Sequence, residues 1–253
     1  MLFSDIRGFT SISERLDPEQ LVRLLNEHLT PMTRAVMANG GLVDKFIGDA
    51  VMAFFGAPVS HDDHASRALA TVLQMHAALA APAPTFADLG AEIAIGVGVN
   101  TGDMIVGNMG STERFNYTVI GDSVSLSSRL EGLTKTYGVF CLVGEETRHA
   151  VGDAFPFREL HIVQVKGKAE PVRIFELMAG PDRTIAAYTS MSHFAEGLGA
   201  FRAGNFVVAR AAFSGFAEAN PTDRAVQLYL ERLGTLGDIA PPGWRPAHVF
   251  TSK

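Results

Sequence analysis

The segment from Leu42 to Phe55, LVDKFIGDAVMAFF, limits the possible folds more than any other part of the chain. Two apolar runs flank the pair Gly48-Asp49, and such a pair between two strand-like runs predicts a β-hairpin. The pattern therefore predicts that the carboxylate of Asp49 projects from a tight hairpin turn, with Lys45 four residues earlier on the same hairpin.

Strand-like and helix-like patterns alternate along the chain. A short strand precedes Asp5. Asp17 as the N-cap, Pro18 at the first helical position and Gln20 three residues after the cap predict the start of a long helix. The pair Gly40-Gly41 predicts its end.

The later elements continue this alternation. We predict, in chain order, a helix in DDHASRALATVLQMHAALA, two strands in EIAIGVGVNTGDMIVGNMG, a strand and a helix in NYTVIGDSVSLSSRLEGLTKTYG, a strand at 139–143, a short helix from Glu145 and a hairpin around KGKAEP. The order β-α-β-β-α-β with added elements predicts an α+β fold with a ferredoxin-like core. The glycines of GVGVN are interpreted as allowing close packing of strand and helix.

The segment AGPDRT, residues 179–184, predicts a boundary that divides the chain into 1–180 and 181–253. In the second part, FAEGLGAFRAGNFVVARAAFSGFAEANP spaces Ala, Gly and Phe like a tetratricopeptide helix pair. One and a half repeats cannot stack into a solenoid. We therefore expect a small C-terminal α-helical (TPR-like) appendage, with Trp244 as an apolar anchor.

Composition excludes several classes of function. A net charge of −6 argues against nucleic-acid binding, which depends on clustered Lys and Arg. No apolar run of membrane-spanning length and no signal peptide is present, so we expect a cytoplasmic segment without membrane contact. The single cysteine, Cys141, indicates a reducing compartment. The abrupt start at MLFSD leaves room for an upstream membrane or sensor domain.

Two acidic residues are candidates for a metal site. Asp5 lies where a strand gives way to a helix, beside amides that favour phosphate. If the hairpin lies next to that strand, Asp5 and Asp49 converge, and two carboxylates near phosphate-binding amides can hold Mg²⁺. Taken singly, Asp5 is better explained as a helix cap and Asp49 as a turn residue, and only the surrounding motifs together favour the metal site.

Five motifs in order carry a resemblance to a known family: LFSDIRGFTSISE, GGLVDKFIGDAVMAFFG, GVGVNTGDMIVGNMGS, YTVIGDSVSLSSRLE and VKGKAEPVRIFEL. Together they closely resemble the class III nucleotidyl cyclase catalytic domain, the adenylate and guanylate cyclase family, over roughly residues 2–178. The resemblance implies a βαββαβ core and a head-to-tail homodimer with two nucleotide sites shared between the subunits.

The resemblance also implies how metal and phosphate are bound. Asp5 and Asp49, with the carbonyl of Ile6, would hold two Mg²⁺ or Mn²⁺ ions at each site. The backbone amides of Gly8, Phe9 and Thr10 would hold the terminal phosphates.

Two residues would select the base. By the resemblance, Lys45 enters the partner subunit's pocket, and Thr118 in YTVIGD is the second selector. A lysine only donates, which suits the acceptor N1 of adenine and not the N1–H of guanine. The pair is similar to that of bacterial class IIIb adenylate cyclases, so ATP is the implied substrate. A guanylate cyclase is the nearer alternative.

The remaining implied residues act on the triphosphate. Arg129 would stabilise charge on the α-phosphoryl group, and Lys166 and Lys168 would contact the β and γ phosphates. One position departs from the family: Ser125 stands where an Asn usually orients the ribose and the arginine. Serine is shorter and has one hydroxyl in place of an amide, so slower catalysis is expected.

The reaction implied by the resemblance is that of an adenylate cyclase. The ribose 3′-hydroxyl of ATP attacks the α-phosphorus, pyrophosphate leaves and 3′,5′-cyclic AMP forms. The alternative from a different class is a degenerate cyclase domain that binds nucleotide or only dimerises, and Ser125 favours it.

Overall fold

The computed structural model describes residues 1–79, 93–165, 170–178 and 190–250. Its strands are β1 (Leu2–Ile6), β2 (Leu42–Ile47), β3 (Ala50–Phe54), β4 (Ile95–Val99), β5 (Ile105–Gly110), β6 (Phe115–Ile120), β7 (Cys141–Gly144), β8 (Phe157–Gln164), β9 (Val172–Leu177) and β10 (His248–Val249). Its helices are α1 (Phe9–Ser13), α2 (Pro18–Ala38), α3 (His64–Leu79), α4 (Asp122–Tyr137), α5 (Glu145–Val151), α6 (Met191–Arg202), α7 (Phe206–Ala219) and α8 (Arg224–Thr235).

An eight-stranded sheet with the order β10-β8-β9-β7-β4-β1-β3-β2 forms the centre of the molecule. Within it, β4-β1-β3-β2 is the antiparallel order of a ferredoxin-like βαββαβ fold. The strand β1 pairs with β3 on one side and with β4 on the other. The predicted fold class is therefore confirmed. Strands β5 and β6 form a separate antiparallel hairpin.

Two predicted boundaries were wrong by a few residues. The first strand continues past Ser4 to Ile6, so Asp5 belongs to the strand, because Asp5 and Ile6 still pair with β4. The strand predicted at 139–143 is β7, Cys141–Gly144, because only residues from Cys141 onward pair in parallel with β4.

Helices α2 and α3 cover one face of the sheet. The predicted capping box at the start of α2 is present: the Asp17 side chain accepts from the Gln20 amide at 2.8 Å, and the Gln20 side chain accepts from the Asp17 amide at 3.1 Å. The buried side chains of both helices meet alternate residues of the central strands in one core; among them are Leu24, Met32, Leu69, Val72, Val51, Val97 and Val99.

Helix α4 covers the opposite face and lies directly on β4. A methyl group added at Gly98 would overlap the carbonyl oxygen of Ser127 and the amide of Glu131, so only glycine allows this approach. The Ser127 hydroxyl lies 3.0 Å from the Gly98 carbonyl oxygen. These contacts fix the height above the sheet of the helix that carries Ser125 and Arg129.

The C-terminal helices share a core with α4 and the outer strands. Aromatic side chains of α6, α7 and α8 pack with Leu130 and Tyr137 of α4 and Leu160 of β8; they are Phe194, Phe201, Phe213, Phe216 and Tyr229. Trp244 contacts the rings of Phe201 and Phe206. The predicted boundary lies at 179–184, outside the described residues, so the division at 180 remains a prediction.

A buried ion pair joins these helices to the sheet. Arg158 on β8 is 2% exposed and contacts Glu176 on β9 at 2.6 Å and Asp223, the N-cap residue of α8, at 2.8 Å. The rings of Phe194 and Phe216 lie 4.7 and 5.5 Å from the Arg158 guanidinium carbon. The C-terminal helices are thus held to the sheet by charge as well as by apolar contact.

Candidate active site

Asp5 and Asp49 meet at one backbone amide. The Ile6 N–H lies 3.0 Å from Oδ1 of Asp5 and 2.9 Å from Oδ2 of Asp49. Asp5 is the penultimate residue of β1, and Asp49 lies in the turn between β2 and β3. Because β1 and β3 are paired neighbours, the turn brings Asp49 to the end of β1. The structure thus brings together the two carboxylates that the sequence analysis selected.

Burial, together with a smaller like-charge repulsion from Asp5, opposes ionisation of Asp49. Burial and the neighbouring Asp5 carboxylate raise the pKa of Asp49 to about 7, although the Ile6 amide acts in the opposite direction. Asp49 is 8% exposed. A divalent cation would relieve this repulsion, and carboxylate oxygens are the ligands that Mg²⁺ and Mn²⁺ prefer.

The carboxylates of Asp5 and Asp49 suit a metal ion that also binds oxygen atoms of a ligand. Within the described ranges, no group of three or more His, Cys, Asp or Glu side chains could hold a metal. Two carboxylates leave coordination positions for a backbone carbonyl, water and ligand oxygens. Mg²⁺ bound together with a phosphate usually has this arrangement, so the residues present fit such an ion.

Two further charged residues lie near the acidic pair and were missed from the sequence. Burial and the Asp5 charge raise the pKa of Glu131 on α4 to about 7. Burial lowers the pKa of Arg7, while the nearby charges of Glu131 and Asp5 act to raise it. Arg7 also donates to the Val139 carbonyl at 3.1 Å. Arg7 lies two residues after Asp5 in the sequence, and this spacing could have indicated its place.

The segment after β1 turns sharply into α1. Gly8 has φ of +66°, a left-handed conformation that favours glycine, and is the N-cap residue of this helix. The amides of Gly8, Phe9 and Thr10 lie at the start of the helix, where N–H groups have no acceptor within the helix. They closely follow Asp5 in the chain. Their role toward phosphate remains a prediction.

The two predicted base selectors lie on different hairpins. Lys45 is on β2, its side chain is 42% exposed, and its ammonium is 3.2 Å from the carboxylate of Asp44. Thr118 is on β6 and only 7% exposed, and its hydroxyl has no hydrogen-bond partner in the described part of the chain. Among the described contacts, neither residue bonds to Asp5 or Asp49.

Ser125 and Arg129 lie one turn apart on α4. Ser125 is exposed and Arg129 is half-buried. Within the described residues, the Arg129 guanidinium makes no ion pair or hydrogen bond, which leaves its donors available. Lys166 and Lys168 lie outside the described residues, so their contacts with phosphate remain predictions.

Exposed apolar side chains surround the two hairpins that carry Lys45 and Thr118. Six of them are at least 40% exposed: Phe46, Ile47, Ile105, Phe115, Tyr117 and Ile120. The hairpins touch each other through β2 and β6, and the Tyr117 ring lies 6.4 Å from that of Phe54 on β3. An exposed apolar surface of this kind marks a site of association.

The ferredoxin-like core, the acidic pair beside a helix start and the arginine on the facing helix define a nucleotidyl cyclase domain. Residues 1–179 match the family model of the adenylate and guanylate cyclase catalytic domain, and the chain belongs to this family. The predicted membership is confirmed. Domains of this family bind nucleotide substrates, use divalent metals and act as dimers.

Known proteins of both specificities are similar to the chain. The adenylate cyclase of Anabaena cylindrica is 38% identical over 191 residues, which cover 71% of this chain and 36% of that protein. The crystal structure of the adenylyl cyclase CyaB from P. aeruginosa has 34% identity and a TM-score of 0.65, covering 72% of this chain and 94% of that one. The crystal structure of the guanylyl cyclase Cya2 has 36% identity and a TM-score of 0.63, and the match covers 73% of this chain and 93% of that one.

The chain spans little more than a third of the length of the Anabaena protein. Among the described residues, no helix has the length and apolar character needed to cross a membrane.

Proposed function

We propose that this chain is an adenylate cyclase domain that converts ATP to 3′,5′-cyclic AMP and pyrophosphate at sites shared across a head-to-tail homodimer. The observation that carries the proposal is the convergence of Asp5 and Asp49 on the Ile6 amide. Burial and the Asp5 carboxylate oppose ionisation of Asp49, and a divalent ion bound with ATP would stabilise the ionised pair.

Asp5 and Asp49, with the Ile6 carbonyl, would hold two Mg²⁺ or Mn²⁺ ions. When bound, the ions supply charge that lowers the pKa of the ribose 3′-hydroxyl and neutralises the leaving pyrophosphate. The chain itself holds its carboxylates still: the Ile6 amide fixes one oxygen of each, and the pairing of β1 with β3 fixes the backbones. Such rigidity aligns the reacting groups.

Other residues would bind the triphosphate. The amides of Gly8, Phe9 and Thr10, with Lys166 and Lys168, would hold the terminal phosphates. The Arg129 guanidinium, which has no partner among the described residues, would stabilise the charge that develops on the α-phosphoryl group. Ser125, one turn before Arg129, would orient the ribose less firmly than the usual amide.

Thr118 and Lys45 support adenine as the base. A buried hydroxyl without a hydrogen bond is unfavourable, and the polar edge of a base would supply its partner. Lys45 offers donors alone, which suits N1 of adenine and opposes the N1–H of guanine. Because the guanylyl cyclase Cya2 is as similar in sequence as the adenylyl cyclases, this choice depends on these two residues.

The exposed apolar side chains of the two hairpins support the homodimer. Six such residues beside Lys45 and Thr118 are costly to leave in water, and a second copy would cover them. In this arrangement Lys45 from one subunit would enter the pocket that contains its partner's Asp5 and Asp49.

The direct test is to incubate the purified chain with ATP or GTP, first with Mn²⁺ and then with Mg²⁺, and to separate the products chromatographically. We expect cyclic AMP from ATP and little cyclic GMP, and we expect Asp49→Ala to abolish turnover without dissociating the dimer. No cyclic product with either metal would overturn the proposal. Cyclic GMP as the main product would make the chain a guanylate cyclase.

Sharing of the sites is tested by mixing inactive variants. Asp5→Ala and Arg129→Ala subunits together should recover partial activity, because the mixed dimer keeps one intact site. The matched control mixes Asp5→Ala with Asp49→Ala, whose mixed dimers damage the acidic pair of both sites, so no recovery is expected. Equal behaviour of the two mixtures would refute the assignment of Arg129 to the opposite subunit.

A slow or inactive nucleotide-binding module is the second candidate, and Ser125 in place of the usual Asn favours it. In that case the wild-type chain would bind ATP with Mn²⁺ while forming no product. Equilibrium binding beside the turnover assay separates the two functions.

A further inference from the structure

Asp44 is the extra residue of a β-bulge directly before Lys45. In the antiparallel pairing of β2 with β3, Val43 is opposite Ala53 and Lys45 is opposite Met52. Two steps along β2 therefore match one step along β3. Bulges of this kind change the face to which the following side chains point.

The bulge decides the face on which Lys45 lies. Residues directly opposite each other in an antiparallel pair share a face of the sheet. Val43 and Ala53 pack in the core beneath α2 and α3, whereas Met52 packs in the cluster on the opposite face. With regular alternation, Lys45 would lie on the same face as Val43. The bulge places it on the face of Met52 instead.

The face of Met52 is also that of Asp5. Phe3 packs against the Met52 cluster, and Asp5 lies two residues further along β1, so Asp5 has the same orientation as Phe3. The inserted Asp44 thus turns Lys45 away from the α2 core and onto the face of the sheet that carries the candidate active site.

The carboxylate of Asp44 is buried beside the ammonium of Lys45. Its side chain has no exposed surface, and Oδ2 is 3.2 Å from Nζ of Lys45. The geometry is that of an ion pair, and neither oxygen accepts a hydrogen bond from the described residues. A buried carboxylate is unfavourable without a compensating cation. Lys45 is the cation that contacts it in the described part of the chain.

We propose that Asp44 is a positioning residue for nucleotide selection, which holds the Lys45 ammonium at a fixed height and direction. The inference rests on the proposed role of Lys45 in base recognition. A lysine has a long flexible side chain and a mobile charge. With one side of the ammonium held by Asp44, its other donors point outward, where they meet N1 of adenine and repel the N1–H of guanine.

The test is a double-mutant cycle of Asp44→Asn, Lys45→Ala and the double variant, which isolates the coupling between the two side chains. The measured quantity is the ratio of kcat/KM for ATP to that for GTP, with Mn²⁺. We expect Asp44→Asn to lower this ratio about tenfold, mainly by raising KM for ATP. A tenfold change corresponds to part of one charge-assisted hydrogen bond. In the Lys45→Ala background it should change the ratio no further.

Asp63→Asn is the matched control. It makes the same change of side chain in an exposed ion pair, in which Asp63 contacts Arg67 of α3. It should leave the ratio unchanged. Thermal melts of all variants check folding, and Asp44→Asn preserves the shape of the side chain. The inference is overturned if Asp44→Asn keeps the wild-type ratio, or if it lowers the ratio equally with and without Lys45, which would indicate a merely structural role.

Equilibrium binding of ATP and GTP with the same variants separates this inference from the proposed function. If the wild-type chain forms no cyclic product, the proposed function fails. A preference for binding ATP that depends on Asp44 only when Lys45 is present would still support the inference. A chain that binds the two nucleotides equally, or binds neither, would overturn it.

Discussion

Asp5 and Asp49 accept hydrogen bonds from the same N–H group, the backbone amide of Ile6, at 3.0 and 2.9 Å. One donor serves two carboxylates that belong to different elements. Burial and the Asp5 carboxylate raise the pKa of Asp49 to about 7. The Ile6 amide stabilises both carboxylates, and a bound cation would stabilise their ionised forms further.

This relationship predicts how the stability of the metal-free protein depends on pH. Folding raises the pKa of Asp49 from 3.8 to about 7, so the folded chain keeps a proton that the unfolded chain has lost. The free energy of unfolding should therefore fall as pH rises from about 4 to about 7. In EDTA, Asp49→Asn should melt higher than wild type at pH 8, and the difference should shrink at pH 5. A variant that melts lower at pH 8 would contradict this prediction.

A second prediction concerns the contact between α4 and β4. Gly98→Ala should displace α4, because the added methyl group overlaps the backbone at Ser127 and Glu131. Since α4 carries Arg129, we expect turnover to fall at least tenfold and the melting temperature to drop. The matched control is Gly132→Ala, on α4 itself, where a methyl group meets nothing within 4 Å. It should be neutral or stabilise the helix by up to about 1 kcal/mol.

A third prediction is a gain of activity. Ser125→Asn restores the amide that the family usually has one turn before the arginine, at an exposed position where it meets no packing constraint. We expect kcat to rise about tenfold or more, with KM for ATP changed less, because the contact acts mainly in the transition state. Steady-state kinetics with Mn²⁺ measures this. An unchanged or lower kcat would show that Ser125 does not limit the rate.

A fourth prediction compares a buried arginine with an exposed one. Arg158→Met removes the buried cation that contacts Glu176 and Asp223 and should lower the free energy of unfolding by about 3–5 kcal/mol. Arg67→Met breaks an exposed pair with Asp63 and should change it by less than about 1 kcal/mol. Urea denaturation of both variants measures the difference. Similar losses would mean that Arg158 does not fasten the C-terminal helices to the sheet.

Short sequence patterns were sufficient to predict the helices and the hairpin near the candidate site. The Asp17 and Gln20 capping box predicted the start of α2, and Gly138 ends α4 in the left-handed conformation expected of a C-terminal glycine. The Gly48-Asp49 turn predicted the hairpin. The interpretation of the GVGVN glycines as sites of close packing is confirmed at Gly98. In each case the determining residues lie within a few positions of each other.

Long-range features could not be predicted from the sequence. The bulge at Asp44 depends on how β2 registers with β3, and periodicity alone does not give a register. The buried position of Arg158 depends on Asp223, which lies far along the chain. The parallel pairing of β10 with β8 rests on two residues, His248 and Val249, that carry no strand pattern of their own.

The most direct test of the metal site is to count bound Mn²⁺ by electron paramagnetic resonance, with an ATP analogue that cannot cyclise. The account predicts two bound ions per site in the wild-type chain, fewer in Asp5→Asn and Asp49→Asn, and the wild-type number in the Asp63→Asn control. The same number and affinity of Mn²⁺ in wild type, Asp5→Asn and Asp49→Asn would contradict it.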